Sequence, residues 1–439
     1  MKLCQRPGLS RLVLAWSLTL AVTVTACKTS EGTKSQENSV LTDRTVQANS
    51  ALKVLLKKYN DYELQDDPNV PNDCGPFYMP ASPDVPYIGT AILYHGFTAC
   101  PQQYYELAQI LAKKGVASFV PLLPGQGRGP VPTIDSPKKI GEQSLAAYYG
   151  EFIPGMKGDD WKRYLNFVHD INGFVVTLPG EKFVSGVSVG GALATYSYLA
   201  APGLYKRALI SSPFLGAPGP DLIRRSETGV ASDLRQKLSD VIYKITGTLV
   251  DQLSKDMAFV GALPVGWGDS CLRHQVAENG QLGRRGICHF KVENLAAVAA
   301  LGAYIVDQSR KPSADGVTPT RVHYVPVEFD ISADTFAVRK SISFLTQKWS
   351  DKLVSACWFP SNIPHSYFSR FDLADIPDPY WLNSYLVQTS NFIAYGDAFK
   401  VKGASIENRF DATANADIAS PFDRCDSFPV PDDQISTLR

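Results

Sequence analysis

Residues 182–200 read KFVSGVSVGGALATYSYLA, and this stretch decides the fold. Its first six residues are predicted to form a short strand, and its last nine have the pattern of a helix. Between them lies a Gly-x-Ser-x-Gly pattern centred on Ser188, with Gly186 and Gly190 on either side. A serine on a sharp strand-to-helix turn needs glycines at these two positions, because side chains there would clash with the strand and the helix. The pattern therefore predicts that Ser188 is a nucleophile exposed at the end of a strand.

The alternation of short apolar runs with amphipathic stretches continues on both sides of this turn. Helical periodicity covers residues 101–114 and 159–173. Strand-like runs cover residues 87–94, 116–123, 207–211, 322–329 and 353–359. Strands that alternate with helices pair in parallel, and the helices cover both faces of the sheet. The sequence therefore predicts an α/β fold with a mostly parallel, doubly wound sheet.

One long region interrupts this alternation. Residues 215–320 lack clear strand signals, although residues 233–249 and 292–308 have helical character. A structureless loop of this length is uncommon in a compact domain. We therefore expect a large helical insertion over one end of the sheet. The core is expected in two parts, residues 51–214 and 321–371, and residues 372–439 are expected to be a C-terminal extension.

Three segments at strand ends resemble the α/β-hydrolase superfamily, particularly its bacterial carboxylesterase and monoacylglycerol-lipase-like branch. They are the turn at Ser188, His95-Gly96-Phe97 after the first core strand, and LPGQG at residues 123–127, where Gln126 occupies the place of a frequent histidine. The resemblance covers about residues 87–214 and 321–371. It implies an α/β-hydrolase fold, ester hydrolysis through an acyl-enzyme and no cofactor. It also implies that the insertion is a cap or lid that shapes the pocket.

The resemblance further implies a catalytic triad in the chain order serine, acid, histidine. His365 follows the last predicted strand, and no other histidine comes after the acid candidates. Both Asp330 and Asp334 lie in the loop after the run 322–329. We favour Asp334 as the acid because the acid of this family usually follows a short turn, with Asp330 as the alternative and Glu328 less suitable because it lies on the strand.

The same resemblance implies an oxyanion hole made of two backbone N–H groups. The residue after Gly96 is Phe97, and the residue after the nucleophile is Val189. Fixed backbone dipoles stabilise a developing oxyanion with little reorganisation. The alternative interpretation is an ordinary turn, in which His95 only forms hydrogen bonds with the backbone.

The N-terminus has the plan of an export signal. Three basic residues precede an uncharged stretch at residues 12–26, which is short for a membrane span. The stretch ends in Val-Thr-Ala before Cys27 and resembles a bacterial lipobox, so residues 1–26 would be removed and Cys27 lipidated. A plain signal peptide or an uncleaved anchor is the alternative. Residues 27–50 are polar and are expected to be a flexible tether. Lys28 after the cysteine favours the outer membrane of a bacterial cell envelope.

Cysteine usage agrees with an oxidising compartment. Cys4 lies in the signal and Cys27 would carry lipid, which leaves an even number of cysteines for disulfide bonds. These are Cys74, Cys100, Cys271, Cys288, Cys357 and Cys425. Proximity in sequence favours Cys74–Cys100 and Cys271–Cys288, with Cys357–Cys425 as the third bond. No pair of cysteines has the Cys-x-x-Cys spacing, so we expect no metal site.

Charge narrows the possible partners. Lys+Arg and Asp+Glu both total 43, so the formal net charge is zero. Binding to nucleic acid needs a net basic surface, and we therefore expect no nucleic-acid partner. We expect a small or lipid-like ester as substrate and the membrane as a partner of the lipid anchor. The alternatives are another acyl reaction on the same triad, acting on thioesters or amides or transferring acyl groups, and a non-catalytic binding lipoprotein.

Overall fold

The computed structural model describes residues 43–57, 74–126, 158–217, 264–266, 289–311, 320–327, 330, 332–349, 353–359, 363–370, 372–373, 379 and 381–397. Several predictions fall outside these residues. They are the signal peptide, the lipidated Cys27, the helix at residues 233–249, and the disulfide cysteines Cys271, Cys288 and Cys425.

The described residues form nine strands. They are β1 (Phe77–Met79), β2 (Gly89–Tyr94), β3 (Val116–Val120), β4 (Glu181–Val187), β5 (Arg207–Ser211), β6 (Pro264–Gly266), β7 (His289–Lys291), β8 (Arg321–Val325) and β9 (Val354–Ala356). Seven of them make one sheet in the order β1-β3-β2-β4-β5-β8-β9, and β6 pairs with β7 in a separate ribbon. Only β1 runs antiparallel within the large sheet. The predicted mostly parallel sheet is confirmed.

Seven α-helices of the described residues accompany the strands. They are α1 (43–57), α2 (Tyr105–Ala112), α3 (Lys162–Val175), α4 (Val189–Ala200), α5 (Val292–Arg310), α6 (Thr335–Trp349) and α7 (Leu382–Tyr395). Residues of α2 and α7 pack in one apolar cluster, and residues of the other five helices pack in a second cluster. Alternate residues of β2 face different clusters: Ile92 and Tyr94 join the five-helix cluster, and Ala91 and Leu93 join the other. Because successive side chains of a strand point to opposite faces, the two clusters lie on opposite faces of the sheet. Helices therefore cover both faces, as doubly wound folds require.

The tether prediction is wrong at its C-terminal end. Residues 43–57 are helical, although residues 43–50 were expected to be flexible. Thr45, Ala48, Leu52 and Leu55 are buried, and their spacing of three, four and three residues matches one face of a helix. Two of these four side chains are small, and the rest of the helix is mostly polar, so the sequence resembled a tether.

The core also extends beyond the predicted boundary at residue 371. Helix α7 lies in the expected C-terminal extension, yet Leu382, Tyr385 and Ile393 are buried in the same cluster as α2. The helix ends at Gly396, whose φ of 79° is readily adopted by glycine. Arg207 Nε donates to the carbonyl of Ile393 at 2.8 Å, which satisfies one of the last carbonyls of the helix.

The insertion is only partly helical in the residues that are described. Helix α5 lies within it and includes the predicted helix at residues 292–308. The β6–β7 ribbon was not predicted, because each of its strands is only three residues long. Phe290 of β7 is buried and contacts Phe97 in an edge-to-face arrangement, with ring centroids 5.2 Å apart. The insertion therefore touches the loop that follows β2.

A disulfide bond joins Cys74 to Cys100 as predicted, with both cysteines buried. Cys357 is also disulfide-bonded, but its partner lies outside the described residues, so the Cys357–Cys425 and Cys271–Cys288 pairings stay predictions. Within the described ranges, no helix is long and apolar enough to cross a membrane, and no group of three or more His, Cys, Asp or Glu side chains is placed to hold a metal ion.

Candidate active site

Ser188 occupies the sharp turn between β4 and α4. Its φ of 55° and ψ of −124° lie in a region that L-residues rarely adopt. The flanking glycines are required by close contacts. A Cβ on Gly186 would lie 1.9 Å from the Gly190 carbonyl oxygen, and a Cβ on Gly190 would lie 2.1 Å from the Tyr94 carbonyl oxygen. The Gly-x-Ser-x-Gly pattern therefore has the steric origin that the sequence suggested.

Backbone hydrogen bonds to residues at and just after the end of β5 hold this turn in place. The Ser188 N–H donates to the Ser211 carbonyl at 3.1 Å, and the Ser188 carbonyl accepts from the Phe214 N–H at 2.8 Å. A strained backbone of this kind costs on the order of 1–3 kcal/mol and persists only where the surroundings hold it in place. The Ser188 side chain lies at the carboxyl edge of the sheet, beside Gly96 at the end of β2.

A histidine–carboxylate pair follows the last strands. His365 Nδ1 lies 2.5 Å from Asp330 Oδ2, and the two side chains are 12% and 3% exposed. The other carboxylate oxygen, Oδ1, accepts from the Ser332 N–H at 2.8 Å. Because a carboxylate only accepts, Nδ1 carries a proton, and in the neutral ring Nε2 is the nitrogen that keeps a lone pair. The pair thus orients an imidazole that can take up a proton at Nε2.

Asp334, which the sequence analysis favoured as the acid, does not pair with His365. It is fully buried, and its Oδ1 accepts from the Phe336 N–H at 3.0 Å in the first turn of α6. Its own N–H donates to the Gly216 carbonyl. Asp334 is therefore the N-cap of α6. The structure corrects the assignment of the partner of His365 from Asp334 to Asp330.

Ser188 and His365 are not joined by a hydrogen bond in the described residues. Within the described residues, His365 Nε2 is buried and makes no hydrogen bond, and none joins it to Ser188 Oγ. Catalytic hydrogen bonds are often long in the absence of substrate and tighten in the reactive complex. The arrangement thus leaves the proton-accepting nitrogen of His365 unoccupied.

In the loop after β2, the backbone N–H groups of Gly96 and Thr98 both donate hydrogen bonds to glutamine side chains, and the Phe97 N–H lies between them. The Gly96 N–H donates to Gln103 Oε1 and the Thr98 N–H donates to Gln126 Oε1, both at 2.8 Å. Thr98 adopts a positive φ of 64°. Within the described part of the chain, the Phe97 N–H between them donates no hydrogen bond. This geometry suits the predicted oxyanion role of Phe97.

The second predicted donor is the Val189 N–H. Val189 is the first residue of α4, and the first N–H groups of a helix have no partner inside the helix. Among the described residues, its N–H donates no hydrogen bond either. The helix N-terminus also favours negative charge. The Phe97 N–H in the loop after β2 and the Val189 N–H directly after Ser188 are thus the two candidate oxyanion donors.

The His95 side chain holds the backbone of this loop in place and is not available for proton transfer. Its Nδ1 donates to the Gly96 carbonyl at 2.8 Å, and its Nε2 accepts from the Leu123 N–H at 2.9 Å. This leaves the ring no free nitrogen. Complete burial lowers the pKa of His95 to about 4, so the ring is neutral at neutral pH. His95 thus bonds the backbone on both sides of its ring, and the oxyanion prediction concerns the Phe97 N–H rather than this side chain.

Two buried histidines give a prediction about stability and pH. Burial lowers the pKa of His95 to about 4 and that of His323 to about 3. The unfolded chain therefore binds more protons below about pH 6.5, the ordinary histidine pKa, and the free energy of unfolding falls as the pH drops from there towards 4. We expect a loss of about 3 kcal/mol from His95 alone.

Guanidinium unfolding at pH 7.0, 5.5 and 4.5 tests this expectation. His323→Gln is the test variant, since His323 lies on β8, two strands from the β4 strand that leads to Ser188. The pH slope of its unfolding free energy should be smaller than that of the wild type by up to about one proton, or about 1.4 kcal/mol per pH unit. Identical slopes would show that His323 is not buried in its neutral form.

These observations define the class of the protein. A serine at positive φ between a central parallel strand and its helix, with a histidine–carboxylate pair after the last strands, is the arrangement of the α/β-hydrolase fold. The predicted fold is confirmed, and the chain is an enzyme of the hydrolase class.

A comparison with protein families agrees with this class. Residues 87–265, which are less than half of the chain, match the Hydrolase_4 family model, described as serine aminopeptidase S33. A comparison with curated proteins finds no match.

Solved structures with a similar fold include three lipolytic proteins. Monoglyceride lipase from Saccharomyces cerevisiae is 14% identical, with 72% of this chain and 90% of that chain covered and a TM-score of 0.43. Monoacylglycerol lipase from Paleococcus ferrophilus is 12% identical, with 73% and 97% covered and a TM-score of 0.42. A structure reported for the metagenome-derived lipolytic enzymes LipS and LipT is 14% identical, with 74% and 98% covered and a TM-score of 0.39. With TM-scores below 0.5, these likenesses add no argument about activity.

Proposed function

We propose that this protein is a serine hydrolase that cleaves carboxylic esters through an acyl-enzyme. The observation that carries the proposal is the hydrogen bond between His365 Nδ1 and Asp330, at the same edge of the sheet as the strained Ser188 turn. Ser188 is the nucleophile, His365 the general base and Asp330 the acid that fixes the histidine tautomer.

The reaction follows from these positions in two steps. As Ser188 Oγ bonds to the ester carbonyl carbon, His365 Nε2 takes the hydroxyl proton, and the carbonyl oxygen becomes an oxyanion that faces the Phe97 and Val189 N–H groups. His365 then gives the proton to the departing alkoxide, which leaves as the alcohol. A water molecule attacks the acyl-enzyme in the same way, with His365 as base, and releases the acid and free Ser188.

Ester substrates are favoured over amides by the resemblance to carboxylesterases, whereas the description of the matching family names an aminopeptidase. The test compares p-nitrophenyl esters of two to sixteen carbons with aminoacyl p-nitroanilides, using the full-length protein in mild detergent. Turnover of esters without turnover of anilides supports the proposal. The reverse pattern would replace ester with peptide hydrolysis on the same triad.

We further propose that the enzyme is anchored in the bacterial envelope, with the outer membrane favoured, by lipid on Cys27. The support is the lipobox-like sequence before Cys27 and the neutral polar stretch that follows it. Metabolic labelling with an alkyne fatty acid in a Gram-negative host, followed by membrane fractionation, tests this proposal. Label on the wild type and none on Cys27→Ser is expected, whereas equal label on both would rule out Cys27 as the lipidated residue.

A further inference from the structure

Gln103 connects the oxyanion loop to a distant acidic residue. Its Oε1 accepts from the Gly96 N–H at 2.8 Å, and its Nε2 donates to Asp372 Oδ2 at 2.5 Å. Gln103 is 5% exposed and Asp372 is 8% exposed. A buried hydrogen bond to a charged group is stronger than one between neutral groups, and its loss leaves a buried polar group unsatisfied. The amide is therefore a buried bridge between two segments that lie far apart in the sequence.

One end of the bridge is next to the proposed oxyanion donor. The Gly96 N–H lies in the His95–Gly96 peptide unit, one unit before the Gly96–Phe97 unit that carries the Phe97 N–H. The bond to Gln103 therefore fixes the start of the loop that presents this donor. The ideal Cβ position on Gly96 lies only 3.5 Å from both Gln103 Oε1 and Ser188 Cβ. A shift of this amide would therefore move the Phe97 donor relative to the nucleophile.

The other end of the bridge is in the segment that carries His365. The segments 363–370 and 372–373 meet residues 101–106, a tight turn and the start of α2, at two more contacts besides Gln103–Asp372. Tyr104 packs against Phe368 with ring centroids 4.9 Å apart, and Arg370 Nε donates to Glu106 Oε1 at 2.7 Å. The same turn follows Cys100, which is disulfide-bonded to Cys74. The segment with the base and the turn beside the oxyanion loop thus form one packed unit.

We propose that Gln103 is a positioning residue, which holds the Phe97 N–H in register with His365 by bridging Gly96 and Asp372. This inference rests on the proposed serine hydrolase function. Gln103 contacts no reacting atom and acts through the Gly96 peptide. Its loss should therefore lower kcat while KM changes little, because the oxyanion donor acts mainly in the transition state.

A donor–acceptor exchange tests the bridge. Gln103→Glu keeps an oxygen for the Gly96 N–H but places a second carboxylate against Asp372, and like charges at this distance repel. We expect kcat on p-nitrophenyl butyrate to fall about 10–100-fold, with KM within about threefold, since complete loss of one oxyanion donor costs about 10²–10³-fold.

The double variant Gln103→Glu/Asp372→Asn provides the rescue. The new amide at 372 donates to the new carboxylate at 103, so the bridge re-forms with its donor reversed. We expect kcat to return to within about fivefold of the wild type, because residues in one hydrogen-bond network have non-additive effects. Gln109→Glu, which adds the same charge on the exposed side of α2, is the matched control and should retain wild-type kcat. A double variant no more active than Gln103→Glu would overturn the proposal.

Hydrogen exchange separates this proposal from the proposed function. In Gln103→Ala the Gly96 N–H loses its acceptor, and we expect the peptide that covers residues 95–98 to exchange at least about tenfold faster than in the full-length wild type. Unchanged exchange would refute the bridge. Faster exchange in a protein whose wild type neither cleaves esters nor reacts with a serine probe would keep the bridge and overturn the proposed hydrolase function.

Discussion

Replacement of Asp330 by asparagine is expected to lower kcat on p-nitrophenyl butyrate by about 10³–10⁴-fold. An asparagine amide can donate to His365 Nδ1, which then becomes the acceptor, so the proton moves to Nε2. In that tautomer the nitrogen that faces the nucleophile can no longer take a proton. The variant should fold like the wild type, since the Ser332 N–H can still donate to the amide oxygen.

Asp334→Asn is the matched control for this experiment. It removes the same charge four residues away, and asparagine is as good an N-cap as aspartate for helix α6. We expect its kcat to lie within about threefold of the wild type, because Asp334 caps helix α6 and does not pair with His365. If Asp334→Asn lost activity and Asp330→Asn retained it, the assignment of the acid would be wrong.

Replacement of Ser188 should have the largest effect on activity and a separate effect on stability. Ser188→Ala is expected to lower kcat by about 10⁵–10⁶-fold, as the loss of a serine nucleophile does in other triads. Ser188→Gly should be equally inactive. Glycine adopts a φ of 55° without strain, so this variant should be more stable than Ser188→Ala by about 1 kcal/mol.

Parallel measurements of ester hydrolysis and urea unfolding test both effects. Activity of the alanine variant above about 1% of wild type would mean that Ser188 is not the nucleophile. Equal stability of the glycine and alanine variants would mean that the turn is not strained.

The sequence predicted the parts of the site that depend on local sterics. Gly186 and Gly190 are required because backbone atoms pass within about 2 Å of their Cβ positions, so the pattern around Ser188 has only a few acceptable residues. His365 was found because it alone followed the acid candidates in the chain. The strand order then brought both residues to one edge of the sheet, as parallel sheets do at the carboxyl ends of their strands.

The choice between Asp330 and Asp334 failed because helix α6 was not recognised. An aspartate directly before Thr335 and the apolar positions Phe336, Val338 and Ile342 is an N-cap signal, and it would have marked Asp334 as a capping residue. The sequence analysis chose Asp334 by its distance from the preceding strand, and that distance does not show whether an aspartate caps a helix.

The bridge from Gln103 to Asp372 had no signal in the sequence. The two residues are 269 positions apart, and glutamine and aspartate are common in surface turns. Only the packing of residues 363–370 and 372–373 against residues 101–106 makes them neighbours. Helix α7 was missed for a similar reason, since its apolar face is defined by α2 and the sheet rather than by a strong pattern of its own.

The most direct test of the account is to locate the residue that a fluorophosphonate probe labels in the folded, full-length protein. Peptide mass spectrometry should find the adduct on Ser188, absent from Ser188→Ala and formed much more slowly in Asp330→Asn but not in Asp334→Asn. This result would establish a serine activated by His365 and Asp330. An adduct on another residue, or no adduct on folded protein, would contradict the proposal that Ser188 is the nucleophile of a serine hydrolase.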